Sequence, residues 1–175
     1  GVVSMEAEHY FEANPSASAD WQVIPYLGRT LSGVALMPYT GGVEGASLTY
    51  KMALPENVSE VNVHVVVKST LAFHVKGHEY TVGFDGGKET VVNFNADLNE
   101  ESENVYSVFY PTVARRVVEK TVKLTVPPST DGMQLLTLKP LDPGIVFEKI
   151  VVDCGGYQKS YLFMDESPCK RVLHR

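Results

Sequence analysis

The sequence predicts an all-β fold: an antiparallel β-sandwich, jelly-roll-like, of about ten short strands. Three observations predict it. Valine makes up 26 of the 175 residues, and its branched side chain resists helix and fits a pleated sheet. Apolar residues alternate with period two in segment after segment. Turn residues break the chain at short intervals, as they do between the strands of sandwiches and barrels.

The first predicted strand is Val2–Tyr10, followed by a small-residue loop at Asn14–Asp20 (NPSASAD). Trp21–Pro25, Thr30–Met37 and Ser47–Leu54 come next, with Gly41-Gly42 and Pro55-Glu56-Asn57 as breaks. Val61, Val63, Val65 and Val67 share one face of a strand, with Asn62, His64 and Lys68 on the other. Tyr80, Val82 and Phe84 repeat the pattern before Asp85-Gly86-Gly87, a strong hairpin signal leading into Glu89–Phe94. Asn95–Asn104 reads as an exposed acidic loop, and Val113–Lys120 as a short helix. Val122, Leu124 and Val126 oppose Thr121, Lys123 and Thr125. Pro127-Pro128-Ser129 and Asp142-Pro143-Gly144 bound the last two strands, Gln134–Lys139 and Ile145–Asp153. Residues 1–157 form one sandwich domain in this reading, and 158–175 a C-terminal extension that packs on something or frays. No internal repeat is present.

Composition narrows the function. Fifteen basic against 21 acidic side chains give a net charge of −6, which repels phosphate backbones and speaks against nucleic acid as a partner. No apolar run approaches the roughly 18 residues that cross a bilayer, so no membrane span is expected. The opening GVVSMEAEHY has neither a basic nor a long apolar stretch, so no signal peptide is expected there. Gly1 in place of an initiator Met suggests a processed or excised chain. Two cysteines, Cys154 and Cys169, allow one disulfide or two thiols and leave that choice open.

The familiar phosphate-loop, dinucleotide, zinc-protease and nucleophile-elbow motifs are missing. His74 and His78 stand four apart, but Gly77 lies between them in a strand-and-turn pattern, and that spacing aligns ligands only on a helix. Asn93-x-Asn95-x-Asp97-x-Asn99 has alternating oxygens, yet Leu98 occupies the sixth position of the would-be calcium loop and Asn104 the twelfth. It reads as a solvated loop.

Glu6-Ala7-Glu8 is the sharpest feature. On a strand, residues i and i+2 share a face about 7 Å apart. Ala7 then points inward with Met5 while both carboxylates point out. Glycosidase catalysis needs carboxylates on opposite sides of a sugar, which one strand does not supply. A hard-cation clamp needs six to eight oxygens, of which two carboxylates provide part. A solvated acidic edge is the third possibility. Asp153 ends the strand IVFEKIVVD, and if first and last strands are neighbours, Glu6, Glu8 and Asp153 could converge at one sheet rim, facing a ligand or an ion.

Aromatic residues are the other lead. Trp21, the single tryptophan, precedes IPYLGRT and serves either as a sugar-stacking anchor or as core. Tyr26 and Tyr39, beside Pro or Gly, are the companion carbohydrate-binding candidates; Tyr110 and Tyr157 have similar settings. Asn57-Val58-Ser59 is a formal glycosylation sequon.

Five segments then line up in order: V-S-M-E-A-E-H-Y at 3–10, I-P-Y-L-G-R-T-L-S-G at 24–33, Y-T-V-G-F-D at 80–85, D-P-G-I-V-F-E-K-I-V-V-D-C-G-G at 142–156 and K-S-Y-L-F-M-D-E-S at 159–167. Together they resemble the C-terminal domain of glycoside hydrolase family 115, the xylan α-1,2-glucuronidases. The resemblance implies a β-sandwich appended to a larger enzyme whose catalytic machinery lies in preceding domains around a (β/α)-barrel. It therefore carries no catalytic residue onto this chain. The Glu-Ala-Glu opening is also similar to carbohydrate-binding modules of families 6 and 35, which implies Glu6, Glu8 and Asp153 as ligands of a structural Ca²⁺. Their sugar-binding aromatics have no clear counterpart here.

The expected role is thus a non-catalytic accessory domain of a family 115-like α-glucuronidase acting on glucuronoxylan. It would give structural support, an oligomer contact or a glycan contact. Its partners are the other domains of the parent hydrolase, xylan or another glycan, and a second copy in a homodimer. The setting is extracellular or periplasmic. The alternatives are a free-standing lectin-like carbohydrate-binding module, and a small enzyme using Glu6 and Glu8.

Overall fold

Two antiparallel sheets face each other across one apolar core in the computed structural model, which describes residues 1–27, 32–68, 77–96, 117–157 and 165–168. Eleven strands are found among the described residues: β1 (Val2–Glu6), β2 (Glu12–Asn14), β3 (Asp20–Ile24), β4 (Gly33–Met37), β5 (Ser47–Ala53), β6 (Glu60–Lys68), β7 (Glu79–Phe84), β8 (Thr90–Asn93), β9 (Val117–Thr125), β10 (Met133–Pro140) and β11 (Val146–Asp153). The first sheet runs β3-β4-β11-β6-β9, with β1 also paired to β11. The second runs β2-β5-β10-β7-β8. The first and last strands, β1 and β11, are neighbours. Among the described residues no helix is long and apolar enough to cross a membrane.

The period-two pattern sets which side chains meet. Val61, Val63, Val65 and Val67 of β6 face Leu48, Tyr50 and Met52 of β5, Tyr80, Val82 and Phe84 of β7, and Leu136 and Leu138 of β10 within one buried cluster. Phe147 of β11 is fully buried and bridges the sheets, edge-on to Tyr80 at 5.5 Å and tilted against Trp21 at 6.3 Å. The Tyr50 hydroxyl donates to the carbonyl of Ala7 at 2.8 Å, a polar tie from the second sheet to the end of β1.

The first sheet differs from a half-exposed sheet because its outer face is buried too. Ser4, Glu6, His64, Val66, Val117, Lys149 and Val151 are all buried, and Val66 and Val117 form a small apolar cluster of their own there. A strand covered on both sides reads as a near-continuous apolar run, which is the character of β11.

Three sequence expectations change. Val117–Lys120 is strand, not helix: it opens β9 and pairs residue for residue with Lys68–Val65 of β6. The β-branched Val117 and Val118 favour that choice. Residues 113–116 lie outside the described residues. The short strand β2 pairs its Glu12 with Thr49 of β5 just before the small-residue loop, where no strand was expected. β1 ends at Glu6 rather than running to Tyr10, because the His9 amide donates to the Glu6 carbonyl at 3.0 Å and closes a turn.

Candidate functional site

The seam between β1 and β11 holds a buried pair of opposite charges. Glu6 pairs across the ladder with Lys149, and Lys149 Nζ lies 3.3 Å from Glu6 Oε1, with the two side chains 3% and 4% exposed respectively. A β-bulge makes this pairing possible. The β6–β11 register shifts between Phe147 and Lys149. Before it Ile145 and Phe147 face the core; after it Ile150 and Val152 do. The extra residue flips Lys149, which regular alternation would send to the core beside Phe147, onto the outer face with Glu6. The sequence carries a signal for this: the apolar phase of IVFEKIVVD slips by one at Glu148-Lys149.

The expected convergence of Glu6, Glu8 and Asp153 is not found. Glu8 lies in the turn after β1, so it does not share a strand face with Glu6. Asp153 stands opposite Val2, four residues along the ladder from the Glu6–Lys149 pair. At about 3.3 Å per residue the offset is roughly 13 Å. The Asp153 carboxylate instead accepts from the Gly155 and Tyr157 amides at 2.7 and 3.2 Å, closing the turn after β11. Among the described residues no group of three or more His, Cys, Asp or Glu side chains is arranged to hold a metal ion.

Residues 165–168 run along the other edge of β1. Ser167 donates its amide to the Ser4 carbonyl at 2.8 Å, and Ser4 returns its amide to Ser167 Oγ at 2.9 Å. Glu166 Oε1 accepts from the Glu6 amide at 3.1 Å and lies 2.6 Å from His9 Nδ1. On the same outer face, His64 Nδ1 sits 2.9 Å from both Glu119 Oε1 and Thr121 Oγ1. The Tyr157 ring stacks on His64 at 4.0 Å, and its hydroxyl donates to Glu119 at 2.8 Å. Burial, then the hydrogen bond to Glu119 and its charge, holds that phenol protonated well beyond the ordinary tyrosine range. Sequence reasoning missed the whole cluster, because its members come from β6, β9 and the turn after β11.

The aromatic candidates separate. Trp21 is buried in the core and donates its indole N–H to the Asn14 carbonyl at 2.8 Å, so it offers no face to a sugar. Its place opposite Leu36 on β4 puts it on the inner side of the sheet. Tyr26 is 97% exposed, past the Ile24 end of β3, and has a left-handed backbone with φ 58°. Tyr39 is 38% exposed and follows β4 at the opposite end of the same hairpin. Tyr110 lies outside the described residues. His78 is a buried core histidine, 2.8 Å from Asn95 through its Nδ1 and stacked on Phe94, while His74 lies outside the described residues. Asn93 closes a local turn onto the Asn95 and Ala96 amides; Asp97 and Asn99 lie outside the described residues. Cys154 is a free thiol, pushed up by burial, and Cys169 lies outside the described residues.

Comparison with known proteins settles the family. Residues 1–166 match the glycosyl hydrolase family 115 C-terminal domain. The chain belongs to that family. No curated protein sequence matches it. Among solved structures it is similar to a family 115 4-O-methyl-α-glucuronidase, BtGH115A, with specificity for decorated arabinogalactans (17% identity, TM-score 0.64). That match covers 85% of this chain and 17% of the enzyme, so the chain spans about a sixth of that relative's length. It is also similar to the C-terminal family 6 carbohydrate-binding module of the laminarinase LamC from Zobellia galactanivorans (13% identity, TM-score 0.57, covering 87% of this chain and 99% of the module). A family 35 carbohydrate-binding module from Clostridium thermocellum is similar too (13% identity, TM-score 0.56, 86% and 97% covered). Identities this low show a shared sandwich fold and nothing finer.

Proposed function

We propose that this family 115 C-terminal domain is a non-catalytic docking and support module of an extracellular or periplasmic α-glucuronidase that acts on glucuronoxylan. The observation that carries the reading is the family match across residues 1–166. The edge of the first sheet supports it. β3 is the end strand; Val23 on it is 42% exposed, and Tyr26, just past its end, is 97% exposed. A large aromatic held bare in a left-handed backbone is costly, and a neighbouring domain of the parent enzyme that buried Tyr26 would offset that cost.

A glycan-contact role is the second reading, and the outer face of the second sheet favours it. There Phe11 is 59% exposed with Lys51 Nζ 5.3 Å from its ring centre. Beside it Thr49, Thr137 and Asp85 form a hydrogen-bonded row at 3.1 and 2.9 Å. An aromatic edge next to hydroxyl and carboxylate groups suits a sugar.

The test compares the isolated chain with the full-length protein that contains it, on glucuronoxylan fragments and on decorated arabinogalactan. Release of 4-O-methylglucuronic acid is expected from the full-length protein only. Tyr26→Asp in the full-length protein should loosen the domain, seen as faster proteolysis at its boundary. Turnover by the isolated chain that disappears in Glu6→Gln would overturn the non-catalytic reading. Glycan-array binding that is lost in Phe11→Ala would select the second reading over the first.

A further inference from the structure

We infer that the outer edge of β1 is a peptide-acceptor site, filled here by the chain's own residues 165–168, and that it selects an extended segment with a glutamate followed by a hydroxyl residue. Among the described residues β1 pairs with one strand, β11, and residues 165–168 lie along its other edge. The backbone alternates between the two sides. The Ala7 amide donates inward to the Glu148 carbonyl at 2.9 Å, while the Ser4 and Glu6 amides point outward. An ordinary strand ladder satisfies such amides with backbone carbonyls and reads no sequence. Here both are met by side chains: Ser4 N–H by the Ser167 hydroxyl and Glu6 N–H by the Glu166 carboxylate. Side-chain acceptors confer selectivity, and a carboxylate on a backbone N–H makes the stronger, charge-assisted bond. His9 Nδ1, 2.6 Å from the same Glu166 oxygen, adds a second reader for the carboxylate. One backbone bond, from Ser167 to the Ser4 carbonyl, fixes the alignment.

The anchor is reachable by solvent, since the His9 and Glu166 side chains are 40% and 26% exposed. The segment therefore behaves as a ligand that leaves and returns while the sandwich stays folded, in the manner of a low-stability local unit.

Amide hydrogen exchange on the full chain tests this. In the wild type the Ser4 and Glu6 amides should exchange at least ~10-fold faster than Ala7, whose bond belongs to the sandwich. In the full chain carrying Glu166→Ala and Ser167→Ala they should exchange faster still, with Ala7 unchanged. A synthetic peptide of residues 163–168 added to that variant should slow Ser4 and Glu6 again, and a peptide with the Glu and Ser replaced by Ala should not. Equal exchange of Ser4, Glu6 and Ala7 in the wild type would overturn the inference without recourse to the variant. Equal rescue by the two peptides would overturn its selectivity.

Discussion

Replacing Lys149 by methionine tests whether the β11 bulge exists to deliver an ammonium to Glu6. The two side chains are 3% and 4% exposed and 3.3 Å apart, so little water screens them. At an effective dielectric constant of about 20 their attraction is roughly 5 kcal/mol. Breaking a buried pair by removing one partner costs about 3–5 kcal/mol, because a buried charge is stranded. Lys149→Met is therefore expected to destabilise the domain by that amount. For a chain of this length each kcal/mol shifts the melting midpoint by about 2–4 °C, so the fall should be roughly 6–20 °C. Glu6→Gln should fall in the same range, since it removes the carboxylate charge from the buried ammonium. The double variant removes both charges and should recover about a third of the summed loss, a coupling of roughly 2–3 kcal/mol. Urea and thermal melts of the four proteins close the cycle. Additivity within about 0.5 kcal/mol would refute the pairing. The same melts examine calcium. With Lys149 already neutralising Glu6, midpoints in EDTA and in excess Ca²⁺ should coincide. Saturating a structural site at a hundred times its Kd would instead add about 2.7 kcal/mol.

Two further outcomes follow from the geometry. Gly77 has φ +80°, and a Cβ there would stand 2.6 Å from both Asn93 Oδ1 and Asn95 Oδ1. Gly77→Ala should therefore cost about 1–3 kcal/mol by chemical denaturation. Gly45→Ala, at φ +83° with open space around it, should cost less; equal losses would show that backbone strain alone decides. Burial, helped at Tyr50 by Tyr10 and at Tyr157 by Glu119, raises the phenol pKa of Tyr50, Tyr80 and Tyr157 above the ordinary value. Their contribution is complete below about pH 10, the unfolded value, and is lost as pH rises through the raised folded-state values. Urea midpoints should hold to about pH 9.5, then fall by pH 11, and Tyr80→Phe should lessen the fall. A slope in Tyr80→Phe as steep as in the wild type would contradict this.

Much of the sandwich was legible because period two is a local property. The alternating valines of β6, the Tyr80-Val82-Phe84 face of β7 and the Asp85-Gly86-Gly87 hairpin each need only neighbouring residues to be recognised, and each stands as expected. Strand ends were less legible. The limit of β1 depends on a turn bond from His9 to Glu6, and Val117–Lys120 became strand because β6 offered a nine-residue partner. The family, too, was legible, in motifs spread over almost the whole chain.

What the sequence by itself determined, then, is the fold class, most strand positions and the membership of family 115. Only the tertiary structure decided the site. Alternation shows that Glu6 and His64 point away from the core, but not that this outer face is itself covered, since burial is a property of what packs there. Lys149 reached Glu6 through a one-residue bulge, and Asp153 missed it through register; both are relations between strands far apart in sequence. Trp21 went to the core because its strand turned that face inward against Phe147. Periodicity gives two faces to every strand, and long-range pairing chooses which face meets solvent, which meets the core and which charges come together.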